Sequence, residues 1–344
     1  MSRIRIELKR RMGRLVGPEM PHWIFKSLII LSIFLQFIFL RSYQSENDLC
    51  QHFQAFRNFK SQQPIYQLFP VRDCWQKSIH IDKQYPAYPP TTMLFLYPLS
   101  FIDLSTATIF WDIINIITYL LLLTLILLYF HQLKIPILSI ILFISTFTST
   151  FMLALYIRNF TIILAFLILL SLFVLKKNQS IAGFLIAIAA LLKLWPIIFL
   201  SLGLFNKKYR QFFISGVFIF LSGLFLSIFV FGANNFYDYI TKVIPFEHIF
   251  SYFPGNLSLT SAFIKSKYPV FILVFFIFYS VYYLLKSKNY PNIFFAILLT
   301  IYFVFGPLSW STTAILLIIP LTILIQKIIF QKKPISAFKI FLIT

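Results

Sequence analysis

The sequence predicts an all-α fold, a polytopic transmembrane bundle of about ten helices, each needing roughly 20 apolar residues to cross a bilayer. Three observations carry this reading. Hydrophobic residues make up 59% of the 344-residue chain and charged residues only 12%, against about 25% charged in a soluble domain. The apolar residues recur in long runs along nearly the whole chain. The 30 Lys and Arg residues, which outnumber 10 Asp and Glu for a net charge of +20, fall between those runs rather than on one patch. They read as topology signals and as contacts for anionic lipid or phosphate; no nucleic-acid partner is expected.

Residues 1–21 carry Arg3, Arg5, Lys9, Arg10, Arg11 and Arg14 against Glu7 and Glu19, which holds the N-terminus in the cytoplasm. The run from 22 to 40 then crosses outward. It is long for the core of a signal peptide, and Arg41-Ser42-Tyr43-Gln44 offers no small-residue cleavage pattern, so it reads as a retained helix. Residues 41–87 form a first external loop holding Glu46, Asp48, Asp73, Asp82, His52 and His80. Within it Leu49, Phe53 and Phe56 recur at helical spacing, with Asp48, His52 and Ala55 on another stripe. That pattern predicts an interfacial amphipathic helix, its apolar side in the headgroups and its polar side free. The run Tyr85-Pro86-Ala87-Tyr88-Pro89-Pro90 is a rigid extended lead into the membrane.

Further apolar runs lie near 88–103, 105–130, 135–156, 159–175, 180–205, 211–232, 268–285, 291–305 and 311–330. Simple alternation puts residues 206–210, Lys286, Lys288 and the tail at 331–344 in the cytoplasm, as the charge rule wants, but puts Lys176 and Lys177 outside, which leaves the topology between 88 and 177 open. Residues 233–256 form a second external loop with Asp238, Glu247 and His248. No internal repeat or soluble domain interrupts the chain, so residues 1–344 read as one integral-membrane domain.

Candidates for chemistry are few. No Asp or Glu occurs between Ile113 and Tyr237. Asp48, a few residues past the first helix, is placed to take a proton from a hydroxyl at the membrane surface, or else to cap the helix it begins. Arg158 and Lys193 lie among apolar runs with no acid in that part of the sequence to pair with. Such residues face a cavity, bind an anion or snorkel to the interface. Lys193 is the sharper case, because Pro196 three residues later frees a backbone carbonyl that protein or a cavity must satisfy. Cys50 and Cys74 share the external loop, either bridged or as free thiols. Two cysteines and scattered histidines make no metal-ligand spacing, and no Gly-rich phosphate loop or nucleophile elbow is present, so no cofactor is expected and any metal requirement stays open.

Taken together, these residues resemble glycosyltransferase family 87, from about Asp48 to Trp310. The resemblance rests on Asp48 with a Phe-rich helix behind it, Pro64-Ile65-Tyr66, Tyr88-Pro89-Pro90 and Tyr97-Pro98-Leu99. It continues through Ala190-Leu191-Leu192-Lys193-Leu194-Trp195-Pro196, the basic Lys207-Lys208-Tyr209-Arg210, Asn256-Leu257-Ser258-Leu259 and Pro307-Leu308-Ser309-Trp310. Where the family tends to show Gly-Gln before an Asn this chain has Ile157-Arg158-Asn159, and Ser311-Thr312-Thr313 replaces its Asp-His residues. The resemblance implies a GT-C-like membrane enzyme that moves a sugar, typically mannose, from a polyprenyl-phosphate carrier to a glycolipid or glycan acceptor with inversion. It implies Asp48 as general base on the external face of the plasma membrane. Lys193 and Arg158, with Arg57 or Lys83, would hold the donor phosphate, and Tyr88, Asn159, Asn256 and Trp310 would line the sugar or acceptor pocket. A lipid-linked phosphate is already a good leaving group, so one base and some positive charge suffice. A transporter or flippase of lipid-linked sugars is the rival reading, with a glycan polymerase or ligase next.

Overall fold

The computed structural model describes residues 48–74, 82–129, 154–247 and 270–305, with 316, 317, 319, 320 and 323. The run at 22–40, most of those at 135–156 and 311–330, and the candidates Asn256 and Trp310 lie outside these residues. The described chain is helical apart from one two-residue antiparallel pair, β1 (Phe69–Pro70) with β2 (Lys83–Gln84).

Helix α1 (Asp48–Lys60) comes first. Helix α2 (Pro90–Leu96) starts with proline at its first position, where a missing N–H costs nothing, and passes into a 3-10 turn at Tyr97–Phe101. Helix α3 (Leu104–Tyr129) is preceded by Asp103, whose carboxylate accepts from the Thr106 N–H at 2.9 Å and the Thr106 hydroxyl at 2.6 Å. Helix α4 (Thr161–Val174) and helix α5 (Gln179–Leu192) are joined by a short turn in which Asn178 caps α5 by accepting from the Ile181 N–H at 3.0 Å. A 3-10 turn (Trp195–Leu200) leads into α6 (Ser201–Phe205), and a second one (Lys207–Tyr209) into α7 (Arg210–Phe231). Gly232, at a φ of +84°, ends α7 in a conformation that favours glycine. Helix α8 (Ala233–Asp238), a π-turn (Tyr239–Val243) and α9 (Ile244–Glu247) follow, then α10 (Val270–Ser287) and α11 (Pro291–Phe305).

Helices α3, α4, α7, α10 and α11 match the apolar runs at 105–130, 159–175, 211–232, 268–285 and 291–305 closely. Two runs are not single helices. The run at 88–103 is α2 plus a 3-10 turn, because Pro98 cannot continue the α-helical bonding. The run at 180–205 breaks after Leu192: Lys193 is extended and the chain resumes as a 3-10 turn containing Pro196.

Among the described residues, Leu104–Ile126 and Lys207–Phe231 are long and apolar enough to cross a membrane, and four shorter apolar helices accompany them. The outer face of α7 leaves Phe218, Phe225 and Phe229 exposed, the last at 80%. Lipid is the environment that covers such a surface without cost. Both features suit a membrane protein.

Helix α7 lies along α5, α5 along α4 and α4 along α3. The α5–α7 approach needs Gly183, where a Cβ would fall 2.3 Å from the Phe212 carbonyl oxygen, with Gly216 opposite. One core joins Leu122, Ile168, Ile186, Phe212 and Phe295 across α3, α4, α5, α7 and α11. A second joins Leu49 and Phe56 of α1, Tyr88, Met93 of α2, Trp111 of α3, Phe160, and Ala189 and Leu192 of α5. Of the candidate site residues, Tyr88 belongs to this second core.

Candidate active site

Asp48 opens α1. The Tyr88 hydroxyl donates to its Oδ2 at 2.8 Å and the Gln51 amide to its Oδ1 at 3.2 Å. Gln51 also accepts from the Ala87 N–H at 3.1 Å, so one side chain pins both the acid and the extended segment that carries its phenol. Behind Tyr88, the Tyr66 hydroxyl donates to the Tyr88 carbonyl at 2.8 Å, which gives the Pro64-Ile65-Tyr66 motif a structural role. A carboxylate offers about four acceptor sites, and Tyr88 and Gln51 use two of them here.

The expected free polar side of α1 is corrected. His52 is 2% exposed, with its ring 4.6 Å from that of Tyr88 and 5.6 Å from that of Phe160. Leu49, Gln51, Ala55 and Phe56 are buried with it, while Arg57 and Lys60 face outward. The helix packs its site-bearing face onto protein, since α2 and the Phe160 segment lie under it. Burial lowers the His52 pKa from 6.5 to about 3, so the ring is neutral, and its Nε2 has no hydrogen-bond partner among the described residues. At the far end of α1, Lys60 donates to the Ser100 carbonyl and sits over the Phe101 ring, fixing the helix on the turn after α2.

Lys193 is not central in a continuous helix. It terminates α5 in extended conformation, half-buried, at the carbonyl end where the helix dipole favours a cation. The carbonyl that Pro196 leaves without its helical donor is that of Leu192, and Thr92 satisfies it through its hydroxyl at 2.8 Å. Thr91 does the same for Leu191 at 2.6 Å. These threonines lie at the start of α2, three and four residues after Tyr88, so the Lys193 break is fastened to the segment that holds Asp48. Two residues on, Trp195 stacks on Tyr302 of α11 at 3.9 Å, with its indole N–H unpartnered among the described residues.

Arg158 departs from the expectation that no acid pairs with it. Asp112, the last acid before the long acid-free stretch, comes from α3 to meet it, with Nε to Oδ1 at 2.8 Å and Nη2 to Oδ2 at 3.0 Å. The pair offsets its charge, so the expectation that Arg158 lacks an acidic partner is corrected. Asn159 is buried and its Oδ1 accepts from the Thr161 N–H at 2.9 Å, shaping the start of α4. Arg57 and Lys83 are exposed, on α1 and β2 respectively. Cys50 and Cys74 are bridged, which ties α1 to the stretch after β1 and decides the question their spacing left open.

Sequence reasoning missed Gln51 and Asp112, and put His52 on a free face where the structure buries it. Gln51 is three residues from Asp48, a spacing that puts both on one helix face and could have flagged it. The Asp112–Arg158 pair spans 46 residues and had no local signal. Among the described residues no group of three or more His, Cys, Asp or Glu is placed to hold a metal ion. A groove of about 470 Å³ is lined by residues such as Gln62, Pro64, Asn235 and Asp238, and Asp48 is not part of that lining.

One carboxylate is held by a phenol and an amide, and the segment that carries the phenol also fastens, through Thr91 and Thr92, a helix break that ends in a lysine. Comparison with known families decides the class: residues 87–324 match glycosyltransferase family 87, more than half of the chain. The chain belongs to glycosyltransferase family 87. A glycosyltransferase of this family uses a sugar donor and an acceptor. The match takes in Tyr88, Arg158 and Lys193 and begins after Asp48, so the α1 acid reaches the family segment through its hydrogen bond to Tyr88. No curated protein matches the chain.

Proposed function

We propose that this family 87 glycosyltransferase moves a sugar, mannose in the first instance, from a polyprenyl-phosphate carrier to a hydroxyl of a glycolipid or glycan. Asp48 is the general base. It takes the acceptor proton as the hydroxyl oxygen bonds to the anomeric carbon, and the bond from that carbon to the phosphate oxygen breaks. The electron pair leaves with the polyprenyl phosphate, whose charge Lys193 stabilises, with Lys83 or Arg57 closing from the loop. One displacement of this kind inverts the anomeric centre. Tyr88 orients the base, and Asn256 and Trp310 stay assigned to the sugar or acceptor.

The observation that carries the reading is the Tyr88–Asp48 hydrogen bond, on the same segment whose threonines hold the Lys193 break. The Cys50–Cys74 bridge supports an oxidising compartment, hence the external face of the plasma membrane, for this site. The bundle of about ten crossings belongs to the same proposal.

The test is incubation of the purified protein in lipid nanodiscs with radiolabelled polyprenyl-phosphate-mannose and a membrane lipid extract. Label should move into a glycolipid or glycan fraction. No transfer to any fraction, with polyprenyl-phosphate-glucose equally inert, would reject the donor class.

A further inference from the structure

The segment 158–160 is held in a form that its own sequence does not favour. Arg158 has a φ of +58°, the left-handed region that a side chain bearing a Cβ rarely adopts. Two consecutive residues of α3 clamp it. Asp112 grips the guanidinium through two contacts at 2.8 and 3.0 Å, with side chains only 8% and 22% exposed, and the Trp111 indole N–H donates to the Arg158 carbonyl at 2.7 Å. The output of the clamp is Phe160. Its ring lies 4.9 Å from Trp111, 5.3 Å from Tyr88 and 5.6 Å from His52, so it forms the wall against which the Tyr88 phenol that holds Asp48 rests.

We infer that Asp112, Trp111 and Arg158 form a positioning latch that sets Phe160, and through it Tyr88, for the proton transfer at Asp48. None of the three touches substrate in this account. The inference rests on the reading of Asp48 as base. It gives the ion pair a purpose that stability alone does not, since buried pairs often stabilise no better than apolar residues of the same size.

The experiment measures kcat and donor KM in nanodiscs for Asp112→Asn, Arg158→Gln, the double variant, the swap Asp112→Arg with Arg158→Asp, and Trp111→Phe. The latch predicts kcat losses of about 10-fold or more with donor KM within about threefold, a double variant no worse than the worse single, and partial recovery in the swap. Trp111→Phe, which removes one N–H without stranding a charge, keeps the test available should an ion-pair variant fail to fold, and is expected to lose about 3- to 10-fold in kcat. If Arg158→Gln instead raises donor KM while Asp112→Asn lowers it or leaves it alone, Arg158 is a phosphate ligand and the latch is overturned. Unchanged kcat in Trp111→Phe overturns it as well. Asp48→Asn runs alongside: its full activity would reject the base and the latch's role with it, whereas an inactive Asp48→Asn beside unaffected latch variants rejects the latch alone.

Discussion

The phenol of Tyr88 donates to Oδ2 of Asp48 at 2.8 Å, across 40 residues of chain. It joins the opening turn of α1 to the proline-rich lead of α2, and so couples a loop acid to the family-matched segment. Tyr88→Phe keeps the ring and its contacts with His52 and Phe160 but removes the donor. Hydrogen bonds to charged groups contribute about 1.5–3 kcal/mol, so kcat for sugar transfer should fall about 10- to 100-fold. Donor KM should move little, and steady-state kinetics on the purified variant reads both.

His52 makes the fold acid-sensitive. Its pKa is about 3 in the folded chain against 6.5 when exposed, so between those values the unfolded chain binds the extra proton. The stabilisation is complete above pH 6.5 and is lost as pH falls toward 3. At pH 5 this costs about 2 kcal/mol. Thermal unfolding at pH 7.5 and pH 5 should show a smaller drop for His52→Phe than for the wild type.

The break after α5 depends on Thr92. Thr92→Val strands the Leu192 carbonyl that Pro196 cannot serve, a loss of about 1–3 kcal/mol. The variant should unfold at lower temperature, and a Thr92→Ser control should stay close to the wild type.

The Cys50–Cys74 bridge closes a loop with a sequence separation of 24 residues, for which chain entropy gives about 3 kcal/mol. Alkylation followed by mass spectrometry should find both thiols blocked until reduction. Cys50→Ser with Cys74→Ser should lower the unfolding temperature while retaining transfer, because the Asp48 carboxylate is held by Tyr88 and Gln51.

Much of this was written in local patterns. Apolar runs located α3, α4, α7, α10 and α11, since a long apolar run bounded by polar or turn-forming residues reads as one helix. Pro196 announced a stranded carbonyl, and Thr92 answers it. Asp48 and Tyr88 were both legible as candidates, although nothing in their spacing said that they bond to each other. Long-range pairing is where the reading failed. Arg158 looked unpartnered because Asp112 lies on another helix, and His52 looked free because helical periodicity cannot tell a face turned to lipid headgroups from one turned onto Phe160 and Tyr88. Lys193 looked central because composition continues through a break that backbone hydrogen bonding does not.

The most direct measurement sets turnover beside donor binding in Asp48→Asn, which keeps the size of the side chain and an acceptor for Tyr88 but removes the base. Transfer from radiolabelled polyprenyl-phosphate-mannose should fall about 10²- to 10⁴-fold, the usual contribution of a positioned base, with carrier binding in nanodiscs unchanged. Turnover that survives the substitution would contradict the account and move the proton transfer away from α1.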